Sequence, residues 1–378
     1  MKIALVHDQL QEFGGAERVL VALHNLFPNA DVYTSFYNPR TLGNHAGKFK
    51  NWKIKTSWIA KIPFLNKIYS PLRFITPLLW ETFDFSKYDL VISSSGSYMC
   101  KGVVTKKPTI HISYIHHPPR YLYGYETGTL NELRKYTVFK IYVAIVNHFL
   151  RMWDFTSSQR PDYIIVNSKE TKKRVEKFYR RDSVVIYPPV KISPTAISYE
   201  PSAIGYYLTI SRLQFAKHID ILIKAANKKK FPLKVVGTGR DEPYLRSIAG
   251  PTVEILGSVP DEKLAELYKN AKAFLFASRD EEFGIAPIEA MGRGIPVIAL
   301  RSGGLIETIQ EGGNGFLFDV LSEDSINTKI EKLEHLSQKE YSLLRDSTRK
   351  SAERYSEKVF DKKIREFINN KTTHARAT

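Results

Sequence analysis

The stretch AFLFASRDEEFGIAPIEAMGRGIPVIALRSGG, Ala273 to Gly304, reads as one complete structural unit. Its apolar run AFLFAS is short and predicts a buried strand. Arg279 to Gly284 follow as a loop, and Ala286 to Arg293 as a helix that Gly294 stops before a second strand at Pro296-Val297. Strand, helix and strand in such quick succession predict parallel pairing. The loop also gathers acids at Asp280, Glu281 and Glu282, with Glu289 eight positions after Glu281. Carboxylates this close repel. Either they form a solvated face, or a ligand rich in hydroxyls or positive charge meets them. The backbone N–H groups near Phe283, Gly284 and Ile285 would open the helix and donate to phosphate or hydroxyls. One ligand carrying both hydroxyls and an anionic group would satisfy both halves of the loop.

The same alternation runs through the chain. KIALVHD (Lys2 to Asp8), DVYTSFY, YDLVISSS, TIHISYIHH and PDYIIVNS read as strands with amphipathic segments between them. SVVIYPPVKISP, Ser183 to Pro194, ends a strand in three prolines and reads as an interdomain linker. A second series then begins: YYLTISR, LKVVGTG, VEILGS, AFLFAS and PVIAL. The expected fold class is α/β, with two doubly wound Rossmann-like domains facing a central cleft. The first spans 1–188 and the second 189–354. The tail 355–372 carries Val359, Ile364, Phe367 and Ile368 at helical spacing and is expected to pack back on the first domain. Ligands in such sheets bind beyond the carboxyl ends of the strands.

A chain of 378 residues suits two domains, and 43% hydrophobic with 25% charged residues is ordinary for a protein with real cores. One cysteine, Cys100, excludes an internal disulfide and a cysteine-built metal site. The opening MKIALVHDQL turns polar too soon for a signal peptide, and no run approaches the roughly 20 apolar residues that span a bilayer. The expected location is the cytoplasm. A net charge of +17 implies an anionic partner: nucleic acid, acidic lipid or a phosphorylated small molecule.

Three further segments end predicted strands. In HDQLQEFGGAERV, Gly14 and Gly15 open a helix where a phosphate can approach backbone amides, although a plain tight turn has the same letters. In ISRLQFAKH, Arg212 and Lys217 lie five apart and would neutralise a diphosphate, or else belong to a solvated basic patch. In SYIHHPPRYLYG, His116 and His117 precede stiff prolines. Adjacent histidines rarely ligate one ion, so a cleft histidine bonded to a reacting sugar and a satisfied structural histidine are the two readings.

Taken together, EEFGIAPIEAMGRGIPVIA with SGGLIET resembles the signature of glycosyltransferase family 4, retaining enzymes of the GT-B fold. FGGAERV resembles the family's amino-terminal glycine loop, SRLQFAKHID its Arg–Lys diphosphate segment, and ILGSVPDEKLAELY its base-contacting stretch, which includes Val259. IHHPPRYLYG looks most like mannosyltransferases of O-antigen and exopolysaccharide assembly, and selects His116. Ala216 stands where many members carry an acid, and Glu282 where glycine is common.

The resemblance implies a role for each residue. Gly14 and Gly15 approach the donor phosphate. Arg212 and Lys217 hold the diphosphate. Glu281 meets the donor sugar, Glu289 the ribose, and His116 supports the reacting sugar. Phe283, Gly284 and Ile285 belong to the donor site. The implied reaction moves a sugar from a nucleotide diphosphate, GDP-mannose favoured, to a lipid-linked or saccharide acceptor with retained configuration. No Asp-x-Asp motif occurs in these segments, so neither metal nor other cofactor is expected. A UDP-sugar donor, a sugar-nucleotide epimerase and a non-enzymatic binder of nucleic acid or membrane are the alternatives. The last accounts for the charge but not for Glu281 and Glu289.

Between Val32 and Trp80 there is no acid, while eight Lys or Arg occur. Within Lys50 to Trp80, Lys53, Lys55, Lys61, Lys67 and Arg73 alternate with Trp58, Ile62, Phe64, Leu65, Ile68, Tyr69, Leu72 and Phe74. This is the composition of a basic insert packed on the first domain, or of a segment lying on an anionic membrane. On the second reading the protein is peripheral on the inner face of the plasma membrane.

Overall fold

A computed structural model describes residues 1–62, 72–127, 137–192 and 205–377. The chain divides into two compact units. Unit 1 comprises Met1–Tyr125, Asn131–Pro189 and Lys358–Thr378; unit 2 comprises Glu126–Leu130 and Val190–Glu357.

Unit 1 holds seven parallel strands: β1 (Ile3–His7), β2 (Asp31–Thr34), β3 (Ile54–Thr56), β4 (Leu90–Ser95), β5 (Ile110–Ile115), β6 (Tyr163–Val166) and β7 (Val184–Val185). Their order is β3-β2-β1-β4-β5-β6-β7. The sheet is apolar on both faces because successive side chains point to opposite sides. Leu5 and Ile92 face Val19, Leu20 and Leu23 of helix Gly15–Leu26, together with Phe360, Ile364 and Ile368 of the terminal helix Glu357–Ala377. Ala4, Val6 and Val91 face Leu79, Trp80 and Phe85 on the other side.

Unit 2 repeats the plan with β8 (Tyr206–Ile210), β9 (Leu233–Val236), β10 (Val253–Gly257), β11 (Ala271–Phe276), β12 (Val297–Leu300) and β13 (Gly315–Phe318). The order is β10-β9-β8-β11-β12-β13. Each sheet therefore reverses its winding once, between β1 and β4 and between β8 and β11. These are the topological switch points where such sheets bind ligands.

Two strands lie outside the sequence expectation. β13 lies in NGFLF, four residues too short to show a period. β3 lies inside the acid-free stretch, where Lys55 hides the strand: its Nζ is drawn to Asp31 Oδ2 at 2.7 Å. That stretch is thus partly core. Phe49, Ile59, Leu79 and Trp80 are buried, and Leu72 packs against the cluster that holds the last three. Trp58, Ile62 and Phe74 are exposed. Phe64, Leu65, Lys67, Ile68 and Tyr69, like Pro194 of the linker, lie outside the described residues. The helix expected at Ala286–Arg293 runs instead from Ile285 to Met291. It ends early because the amides of Arg293 and Gly294 turn back to the carbonyls of Ala290 and Met291 in a tightened last turn.

One buried group sets an acid limit on unit 1. His111 in β5 is fully buried against Ser93 Oγ at 2.8 Å, and burial, with Arg160 adding to it, pushes its pKa down to about 3. An unfolded imidazole takes a proton below about 6.5, so stability present at neutral pH drains as pH falls through that value. The expected loss between pH 7 and pH 5 is about 2 kcal/mol, read by urea unfolding at both values. His111→Gln should flatten that slope.

Candidate active site

The carboxyl ends of β8 and β11 are neighbours in unit 2, so the loops that follow them meet. After β8 the chain passes the exposed Arg212 and makes a short turn, Phe215–Lys217, before helix Ile219–Lys229. After β11 come Ser278 and the acid loop. Lys217 Nζ donates to Glu281 Oε2 at 2.5 Å and to Ser278 Oγ at 3.3 Å. The Ser278 hydroxyl donates to the same carboxylate oxygen at 2.8 Å. The Lys217 and Glu281 side chains are 16% and 17% exposed. That pair is sheltered enough to be strong and open enough to meet a ligand.

The second small-residue turn explains how the acids are held. Gly304 N–H donates to the Glu281 carbonyl at 2.7 Å, and Asp280 N–H to Ser302 Oγ at 2.9 Å. Gly303 has φ +57°, and a Cβ there would lie 2.1 Å from the Glu281 carbonyl oxygen. Only glycine lets this turn press on the acid loop. Gly284, at φ +82°, caps the seven-residue helix Ile285–Met291. Phe283 is buried edge-on to Tyr355 at 5.3 Å between ring centres, and Ile285 is half-buried.

Direct bonds thus join Lys217, Ser278 and Glu281. Arg212 stands five residues before Lys217, on a loop braced by Leu213 N–H donating to Thr238 O at 3.0 Å. Glu289 sits half-buried in the helix. Val259 follows β10, two strands from β8, which puts it about 10 Å along the sheet edge. Sequence reasoning missed Ser278; its signal is its place just past the end of β11.

Unit 1 builds a second polar row at its own switch point. Parallel register sets His7 opposite Ser94, and His116 is one residue past the end of β5, the strand next to β4. The row crosses three strand ends. His7 Nδ1 lies 3.1 Å from Ser94 Oγ, which lies 2.7 Å from His116 Nε2. On the far side His7 Nε2 lies 3.4 Å from Glu17 Oε1. All four side chains are buried.

Glu17 also accepts Gly14 N–H at 2.7 Å, so the carboxylate drawn to this helix start is the protein's own. Burial pushes the Glu17 carboxyl up, but the hydrogen bond and charge of His7, together with the backbone N–H groups of Glu17 and Gly14, outweigh it and hold the group below the usual carboxylate range. Carboxylate, imidazole and hydroxyl in series resemble a nucleophile's activating chain. Ser94, however, is fully buried and already bonded to a second imidazole. The row therefore orients His116.

Asp8 fixes the adjoining loop by accepting N–H groups from Gly96 and Tyr98 at 2.8 Å and from Cys100 at 2.9 Å. His117 turns instead to its neighbour, Nδ1 lying 3.0 Å from Pro118 O. His7, Glu17, Ser94 and Asp8 were not singled out from the sequence. Only strand register brings them together. Among the described residues no three His, Cys, Asp or Glu side chains cluster as metal ligands.

The chain is similar to known proteins along both units. The family described as "Glycosyltransferase Family 4" matches residues 13–193, and that described as "Glycosyl transferases group 1" matches residues 200–359. The chain is 26% identical to alpha-1,3/1,6-mannosyltransferase alg2 of Schizosaccharomyces pombe, over 84% of this chain and 70% of that protein. It is 31% identical to the GDP-mannose-dependent alpha-mannosyltransferase of Corynebacterium glutamicum, over 37% of this chain and 34% of that one. It spans 49% and 53% of the length of two other curated relatives that it matches. Among solved structures, Anabaena Alr3699/HepE in complex with UDP and glucose superposes with a TM-score of 0.68 at 17% identity, covering 98% of this chain and 99% of that one. Both sheets, their switch points and both halves of the signature lead to one assignment: the chain is a glycosyltransferase of the GT-B fold and belongs to glycosyltransferase family 4.

Proposed function

We propose that the protein transfers mannose from GDP-mannose to a lipid-linked or saccharide acceptor, with retained configuration, in the synthesis of a cell-surface polysaccharide at the membrane. The observation that carries this is the Lys217–Ser278–Glu281 cluster at the β8/β11 switch point. A cation and a carboxylate held on one hydroxyl suit a ligand that has a diphosphate at one end and sugar hydroxyls at the other. The activities for which the S. pombe and C. glutamicum relatives are named support mannose as the sugar.

In this reading Lys217 and Arg212 take the diphosphate charge, Glu281 orients the sugar hydroxyls, and Glu289 meets the ribose. Val259 borders the base, and the loop Phe283–Ile285 flanks the donor. Gly14 and Gly15 leave room beside the phosphate, and His116 of unit 1 supports the reacting sugar. The C–O bond to the diphosphate breaks, the acceptor oxygen bonds to the anomeric carbon on the same face, and the leaving phosphate takes the acceptor's proton. Stabilising that phosphate is the main catalytic contribution.

Thermal shift across GDP- and UDP-sugars tests the donor, since a ligand at about 100 times its Kd stabilises by about 2.7 kcal/mol. GDP-mannose should shift the melt most; a UDP-sugar doing so overturns the choice of donor. With cations of the protein meeting the diphosphate, transfer should persist in EDTA. Loss in EDTA that manganese or magnesium restores would overturn the cofactor-free reaction.

A further inference from the structure

The helix Thr137–Ser157 in unit 1 is apolar on two sides. One side packs inward through Val146 and Leu150, and buries Asp154, which receives Lys101 Nζ and, at 2.7 Å, the Tyr123 hydroxyl. The other carries Val138, Ile141, Ile145, Phe149 and Met152, at steps of three, four, four and three residues, so that they form one stripe. Each of these five is 53–81% exposed. Single exposed apolar side chains are ordinary; a five-residue stripe down one helix is not. A helix apolar all round belongs in a core or against lipid. The turn Arg73–Ile75 packs beside this helix and adds the exposed Phe74, and the helical turn after it adds Leu78.

Charge selects the occupant. The helix's exposed ions are Lys140 and Arg151, and its one acid is the buried Asp154. Beside it, Glu81 is engaged by Trp153 Nε1 at 2.9 Å and by Arg160. A two-fold contact between copies through this stripe would set one +17 chain against another, with no exposed acid on the helix to offset it. None of the described helices is long and apolar enough to cross a membrane. We propose that the Val138–Met152 face lies in the surface of an anionic bilayer, its apolar stripe among the acyl chains and Lys140 and Arg151 at the headgroups. This deepens the membrane part of the reading above and adds this helix to the acid-free stretch, whose Phe74 and Leu78 lie at its edge.

Sedimentation with phosphatidylglycerol–phosphatidylcholine vesicles, beside pure phosphatidylcholine, tests it on the full chain. The unaltered protein should bind the anionic vesicles and release them at high salt. Ile145→Glu with Phe149→Glu should abolish that binding without moving the melting temperature, because both side chains already face water. Lys140→Ala and Arg151→Ala should each weaken binding by about fivefold. Equal binding by the double variant overturns the proposal. So does a dimer of the unaltered protein that the double variant breaks while neither binds vesicles. GDP-mannose binding, measured in the same samples without lipid, reports on the glycosyl-transfer reading independently.

Discussion

Glu281→Gln should cost transfer about a hundredfold or more and leave GDP bound at least as tightly as before. The carboxylate holds Lys217 at 2.5 Å in the structure, and both side chains are mostly sheltered. A diphosphate that recruits Lys217 therefore competes with Glu281 for it. Neutralising Glu281 removes the competitor, so the free nucleotide gains or keeps affinity. The sugar loses an anionic acceptor for its hydroxyls, and contacts at the reacting centre of this kind are worth about 10²–10³ in rate. Lys217→Ala should do the reverse. It deletes a charge-assisted bond worth about 1.5–3 kcal/mol, which is a ten- to hundredfold drop in GDP affinity. Arg212→Ala should lower it in the same direction. Titration calorimetry with GDP, beside a transfer assay, separates the cases. Weaker GDP binding in Glu281→Gln would show that the carboxylate orders Lys217 for the phosphate rather than meeting the sugar.

The fold was legible because buried parallel strands are short apolar runs, and each was followed by a turn signal and a helical pattern. It failed where those signals fail. β3 carries a lysine whose charge is met by Asp31 on the neighbouring strand, and β13 is too short to show a period. The meeting of Lys217 and Glu281 was legible because each lies shortly after a strand end: Lys217 seven residues after β8, Glu281 five after β11. The unit 1 row was not. His7, Ser94 and His116 are separated by 87 and 22 positions, and only the β1-β4-β5 register aligns them. The acid-free stretch left two readings open because interleaved lysines and aromatics look the same in a half-buried insert and on a lipid face. The exposed stripe on Thr137–Ser157 was hidden for another reason. Helical spacing shows that this segment has apolar positions but not which of them a neighbouring element covers.

His116→Ala should lower transfer by about 10²–10³, and Ser94→Ala by about tenfold, with GDP affinity unchanged in each because Lys217 and Glu281 belong to the other unit. The reason lies in where the protons sit along the row. Ionised Glu17 only accepts, so His7 Nε2 carries the proton that faces it. In the neutral form of His7 the lone pair is then on Nδ1 and takes the Ser94 hydroxyl proton. Ser94 Oγ is left to accept, and His116 must supply the proton from Nε2. With His7 in that form the row favours one tautomer for His116, Nε2–H, with the lone pair on Nδ1. Ser94→Ala removes the acceptor that enforces it, and the two tautomers of His116 become closer in energy. The substitution deletes one neutral hydrogen bond to the ring, worth about 0.5–1.5 kcal/mol, which sets the tenfold ceiling. Ring ¹⁵N shifts of His116, identified by their disappearance in His116→Ala, read the tautomer directly. The Nε2–H signature in the unaltered protein should give way to a mixture in Ser94→Ala. A purely structural serine would change stability and leave that signature as it was, and that result would remove His7, Glu17 and Ser94 from the mechanism.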